Sequence, residues 1–325
     1  MGAANVHPLI KNGNNPSTST SRAIDWLHVM CKCPFVGDPE TRYSNYVITT
    51  DDDDHLWAVV VESCNLDVDH DGMLRHAVDA IRAAYGEQEI RDLVENEPLL
   101  NMPDPAEGIS GFETGHLINA FRSSLPDPVA EGQKPVHLTN YRSETTEIIA
   151  REGLSAVFGM ATPPALHATK GNRNQPILGF DGWSVMNESS GELALVLIQV
   201  KGTDDKDRPP SQAAKLIVEC GKVTTEIGKL KGFLVACALR CKGTEFCTPL
   251  LNMLVELEKT EMVTNLKVAP VIIRGLMTAD LEDLKSLREA TSTFGHAKTR
   301  GMSLSIGADL NDFGRMAMNA ARQHD

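Results

Sequence analysis

The chain has 325 residues, 42% of them apolar and 23% charged, enough for a sizeable core and for two domains, or one domain with a large extension. No apolar run approaches the ~20 residues that span a bilayer, and the amino terminus lacks a basic segment followed by an apolar one, so a soluble cytoplasmic protein is expected. The formal charge of −13 disfavours a polyanion partner for the chain as a whole, yet residues 1–137 carry 9 Lys and Arg against 22 Asp and Glu, while residues 138–325 carry 22 of each.

Residues 1–21 are polar and lack periodicity, which predicts a disordered leader. AIDWLHVM then reads as a short helix, and YVITT and LWAVVVES read as two strands around the acidic turn DDDDH. MLRHAVDAIRAAYG has apolar positions at helical spacing and is closed by Gly86. Two further helices follow, EQEIRDLVENEPLL and ISGFETGHLINAFRSSL, separated by the prolines of NMPDPAEG. These elements predict an acidic N-terminal α+β domain over residues 22–125, suited to partner docking or regulation, and a Pro- and Gly-rich linker over 126–137.

Residues 138–325 predict an α/β domain with a mixed sheet. SETTEIIAREGLSAVFG reads as a helix with Ser143 as N-cap, Glu144 and Glu147 in its first turns, and Ile148, Leu154, Val157 and Phe158 on its buried side. ILGFDGWSVM and LALVLIQVKG form a hairpin across the turn NESSGE. AAKLIVECGKVTTEIG and TPLLNMLVELEK are helices, KVAPVIIRG is a buried strand, and ADLEDLKSLREA is the helix after it. GFLVACALR fits a strand or a helix.

Seven cysteines without a staple pattern point to a reducing compartment. Neither Cys31 with Cys33 nor Cys237, Cys241 and Cys247 makes up the four ligands of a structural zinc site. LDVDHDGMLRHAV places Asp67, Asp69, Asp71 and Gly72 as in a calcium loop, but Val78 stands where the bidentate Glu is needed, so a loop capping the next helix is expected. No phosphate-binding GxxxxGK(S/T) loop occurs.

One constellation carries chemistry. Asp181 lies in the first strand of the predicted hairpin, and Gln199 and Lys201 close the second, 18 and 20 residues later. Residues i and i+2 of a strand share a face, so Gln199 and Lys201 point the same way, and the hairpin can bring Asp181 beside them. Asp carboxylate and Gln carbonyl suit a hard cation such as Mg²⁺ or Mn²⁺. A helix glutamate, Glu147 or alternatively Glu144, can add a ligand, and Lys201 can position water or neutralise developing charge. Singly, each residue has an ordinary structural explanation; the ordered set is harder to reach by accident.

The order E…D…(E/Q)xK on helix, strand and strand resembles the PD-(D/E)xK, restriction-endonuclease-like superfamily. Within it, TEIIAREGLSAVFG…LGFDGWSV…LALVLIQVKG is similar to the nuclease domain of the HamA family of Hachiman-type anti-phage defence, over about residues 138–280. The resemblance implies a restriction-endonuclease-like sheet, metal-dependent cleavage of DNA, and a helicase partner of the HamB kind. Gln199 stands where that family usually has Glu, which removes one negative charge from the expected metal set Asp181, Gln199 and Glu147. A nuclease fold that has lost cleavage and serves as an adaptor is the alternative.

Overall fold

The computed structural model describes residues 42–51, 54–68, 71–96, 114–128, 140–163, 180–188 and 190–323. The expected leader, the helix over 23–30, Cys31, Cys33 and most of the expected linker lie outside these residues.

Six strands form one mixed sheet: β1 (Tyr46–Asp51), β2 (His55–Val61), β3 (Gly182–Asn187), β4 (Leu193–Thr203), β5 (Leu266–Arg274) and β6 (Lys298–Ser305), in the spatial order β1-β2-β6-β5-β4-β3. The four inner strands run parallel, and an antiparallel strand closes each edge. β5 is buried along its whole length: its apolar run from Val268 to Ile273 is that of a strand covered on both faces, and Lys267 and Arg274 are buried at its ends.

Among the described residues the α-helices are α1 (Gly72–Tyr85), α2 (Glu87–Asn96), α3 (Thr114–Ser123), α4 (Asn140–Phe158), α5 (Gln212–Val223), α6 (Ile227–Arg240), α7 (Cys247–Thr260), α8 (Lys285–Glu289) and α9 (Leu310–Arg322). The period-two alternation of β4 divides them between two layers. Val196, Ile198 and Val200 face a core containing Ala77 and Ile81 of α1, Ile148 and Leu154 of α4, and Phe313 and Met318 of α9. Leu195 and Leu197 face the opposite core, with Leu216 and Cys220 of α5, Leu234 of α6 and Leu250 of α7. Burial at each of these positions is worth about 1.5–3 kcal/mol against exposure, so the alternation fixes which face Gln199 and Lys201 present.

The expected separation into residues 22–125 and 138–325 does not hold in this sheet. β2 pairs with β6 from Leu56–Arg300 to Val61–Ser305, and Ala58, Met73 and Ile81 share a core with Val196, Val271 and Met302. A strand apolar on both faces needs cover on both, and β6 supplies the edge that β2 pairs with. Part of the N-terminal acidity is spent on ion pairs across the expected boundary: Asp51 with Arg288 at 2.9 Å, Asp54 with Arg300 at 3.0 Å and Asp127 with Arg322 at 3.3 Å.

Local chemistry explains other departures. α4 begins at Asn140, so Ser143 lies inside the helix, where its carbonyl accepts the Thr146 hydroxyl. GFLVACALR resolves as helix, within α6. The helix expected at ADLEDLKSLREA opens as a 3₁₀ turn over Leu281–Leu284, fixed by a reciprocal cap between Asp280 and Asp283, before the short α8. The acidic loop before α1 does cap it: Asp71 accepts from the Met73 and Leu74 amides at 2.8 and 3.3 Å. Gly86 ends α1 at φ 93°, where a side chain would be strained.

Candidate active site

The β3–β4 hairpin positions the first two elements of the site. Its register pairs Gly182 with Ile198, and one further step places Asp181 opposite Gln199. Asp181 lies just before β3, and its Oδ2 accepts the Val200 amide at 2.7 Å. The carboxylate thus takes the place of a strand carbonyl and is fastened to the peptide between Gln199 and Lys201. Burial pushes the Asp181 carboxyl up from its ordinary value; the Val200 amide and Lys201 pull it down, and Glu219 pushes it further up.

Gln199 and Lys201 follow Leu195 and Leu197 on the α5 face of β4. Gln199 is only 5% exposed. Lys201 is half-buried, with Nζ 2.8 Å from Oε2 of Glu219 on α5. α5 packs through Leu216, Cys220 and Val223, and Glu219 sits at the margin of that stripe, next to the sheet. The Lys201–Glu219 contact is an ion pair without hydrogen-bond angles, since Oε2 has no directed donor and is shielded from solvent.

The two helix glutamates are carried by α4. α4 covers the other face, where its Ile148 and Leu154 meet Val196 and Ile198. Glu144 is buried there and accepts the hydroxyl of Tyr85. Glu147 stands one turn before the fully buried Arg151, whose positive charge it supports against the burial that disfavours it. The stem of Arg151 packs on Gly182, where a Cβ would come within 3.2 Å of Arg151 Cδ. The structure therefore brings together Asp181, Gln199 and Lys201, adds Glu219, and buries Glu144 on the far face with Tyr85.

Among the described residues, no group of three or more His, Cys, Asp or Glu side chains is arranged to hold a metal ion. The donors beside Lys201 are two carboxylates and an amide, all oxygen ligands of the kind a hard cation takes. Oδ1 of Asp181 makes no hydrogen bond among the described residues, Oδ2 being the atom that binds Val200. This donor set fits Mg²⁺ or Mn²⁺ and not a thiolate-bound zinc.

Glu219 had a weak signal in the sequence. It lies on the helix after the Q-x-K strand, three residues beyond Leu216 and one before Cys220, at the edge of the apolar stripe. Helical period alone does not distinguish such a position from a solvated one. Comparison with protein-family models, with curated proteins and with solved structures gave no match.

Proposed function

We propose that this chain is a metal-dependent nuclease of the PD-(D/E)xK kind, cutting DNA phosphodiesters with Mg²⁺ or Mn²⁺ as the effector of an anti-phage defence system with a helicase partner of the HamB kind. The observation that carries the catalytic part is the Asp181 carboxylate fastened to the peptide between Gln199 and Lys201. The defence role and the helicase partner rest on the resemblance of residues 138–280 to the HamA family.

A bound divalent ion supplies a water of lowered pKa and a positive centre for the phosphate oxygens. Asp181 offers Oδ1, with its orientation fixed by the bond that Oδ2 makes to Val200. Gln199 offers its amide oxygen from a position almost closed to solvent. Lys201 meets the charge that builds on the phosphate as water oxygen bonds to phosphorus, the ester P–O bond breaks, and the leaving oxygen takes up a proton. Lys215 and Lys222, exposed on α5 four residues before and three after Glu219, can follow the neighbouring phosphates. Among the described residues no helix is long and apolar enough to cross a membrane.

Two features favour the adaptor reading. The Lys201 ammonium is engaged by Glu219, and Gln199 brings no charge to the metal. Plasmid nicking by the purified chain, with and without Mg²⁺ or Mn²⁺ and a helicase partner, separates the two. A nuclease nicks with metal, and Lys201→Ala or Asp181→Ala abolishes nicking at unchanged melting temperature. Variants as active as the parent refute the site assignment; a parent that binds DNA and never nicks is the adaptor.

A further inference from the structure

We propose that Glu219 of α5 is the carboxylate that completes the divalent-cation site with Asp181 and Gln199, in the position expected of Glu147, and that Lys201 is its counter-ion until a cation arrives. The proposal rests on the nuclease reading for the identity of the cation. The site itself follows from three independent features.

The first is a matter of faces. Gln199 and Lys201 belong to the α5 side of β4, while α4 covers the other side. α4 meets the strands from that other side, with Thr146 against Gly202 and the stem of Arg151 against Gly182. The Glu219 carboxylate already touches the Lys201 ammonium. Glu147 has a separate occupation beside Arg151.

The second is the state of the donor atoms. Gln199 is 5% exposed, and no hydrogen bond to its side-chain amide is formed among the described residues. Its place on the strand puts it on the side of Lys201, next to the Glu219 that Lys201 touches. Oε2 of Glu219 is shielded from water without a hydrogen-bond donor. Oδ1 of Asp181 is unused while Oδ2 is committed. Two carboxylates and an amide gathered on one face offer oxygens of the kind a hard cation takes.

The third is charge. Glu219 touches the Lys201 ammonium, and Asp181 is held at the Val200 amide one residue before Lys201, so one ammonium serves two carboxylates. A divalent ion reverses that imbalance and displaces Lys201 from Glu219. The released ammonium is then available to an incoming phosphate, so metal binding and substrate binding become ordered. Glu219 thereby also accounts for a neutral Gln199: the carboxylate missing from the strand is supplied by the following helix.

Mn²⁺ titration of the full-length chain by calorimetry, read beside plasmid nicking, tests the assignment. Glu219→Gln is expected to weaken Mn²⁺ binding at least tenfold, Glu219→Asp to recover part of it, and Glu147→Gln to stay within twofold of the parent, all at parental melting temperature. Glu219 is partly exposed, so these variants retain the core; if Glu219→Gln does lower the melting temperature, Glu219→Asp decides. A parent that binds Mn²⁺ and nicks DNA, with Glu219→Gln indistinguishable from it, overturns the role of Glu219 and leaves the nuclease reading intact. Loss of Mn²⁺ affinity in Glu147→Gln alone also overturns it. A parent that neither binds Mn²⁺ nor nicks sinks both.

Discussion

Gly301→Ala tests whether the N-terminal strands belong to the sheet that holds the site. Gly301 of β6 lies opposite Trp57 of β2, and the fully buried indole covers it. A Cβ at position 301 would stand 2.3 Å from both Cε3 and Cζ3 of that ring, well inside contact distance. The indole is rigid and enclosed, so either ring or strand must move, at a typical cost of 1–3 kcal/mol for overpacking. Loss of glycine's freedom in the unfolded chain returns about 0.5–1 kcal/mol. A net destabilisation of about 1–2 kcal/mol is expected, or a melting temperature lower by roughly 2–4 °C at about 2 °C per kcal/mol for a chain of this size. Trp57→Leu is itself destabilising, but it opens the space that the added methyl group needs. The double variant should therefore lose at least about 1 kcal/mol less than the two single losses added together. Urea unfolding followed by fluorescence and circular dichroism measures all four members of the cycle. Additive losses within about 0.5 kcal/mol, or a biphasic transition in which Gly301→Ala moves one phase only, would refute the shared sheet.

Gln199→Glu adds a negative charge at the cation, so it should tighten Mn²⁺ binding and preserve or raise nicking at low Mg²⁺; loss of nicking with Mn²⁺ still bound would assign the amide a role toward substrate instead. His76, hydrogen-bonded through Nε2 to the Tyr43 hydroxyl at 3.0 Å, has its pKa pushed down to about 4 by burial, with Arg42 adding to the effect. Because the folded value lies below the unfolded value of about 6.5, its contribution is present above pH 6.5 and is lost as pH falls toward 4, by about 3 kcal/mol in all. His76→Gln should flatten stability against pH across that window, and a parallel slope in parent and variant would contradict the assignment.

Local pattern was enough for elements whose causes are local. The β3–β4 hairpin follows from an apolar run, a turn and another apolar run, and Gly86 stops α1 because glycine enters the left-handed region without a Cβ penalty. The Q-x-K pair was legible because strand period alone puts Gln199 and Lys201 on one side. What the sequence did not disclose was set by distant partners. β6, with Gly301 in its middle and Lys298 and Arg300 along it, lacks the alternation of a half-buried strand, and its pairing with β2 leaves no local mark. α9 also escaped notice, although Asp309 caps it by accepting from the Asn311 and Asp312 amides. Glu144 and Glu147 were legible as first-turn carboxylates; the side of the sheet that α4 covers was not, because that depends on the chain path between α4 and β3. The same uncertainty hid Glu219.

The union of β2 with β6 has a consequence for the order in which the molecule is made. His55 and Thr299, joined by a 2.9 Å hydrogen bond, are 244 residues apart in the chain. At the usual ~5–20 residues per second of synthesis, β2 leaves the ribosome roughly 12–50 seconds before the strand that will cover its inner edge. A hairpin of β1 and β2 emerging early thus displays an open, Val-rich edge, the kind of surface along which nascent chains pair with one another. The excess of Asp and Glu in the first 137 residues sets neighbouring nascent chains in mutual repulsion over that interval, and several of those carboxylates meet Arg288, Arg300 and Arg322 only when the end of the chain arrives.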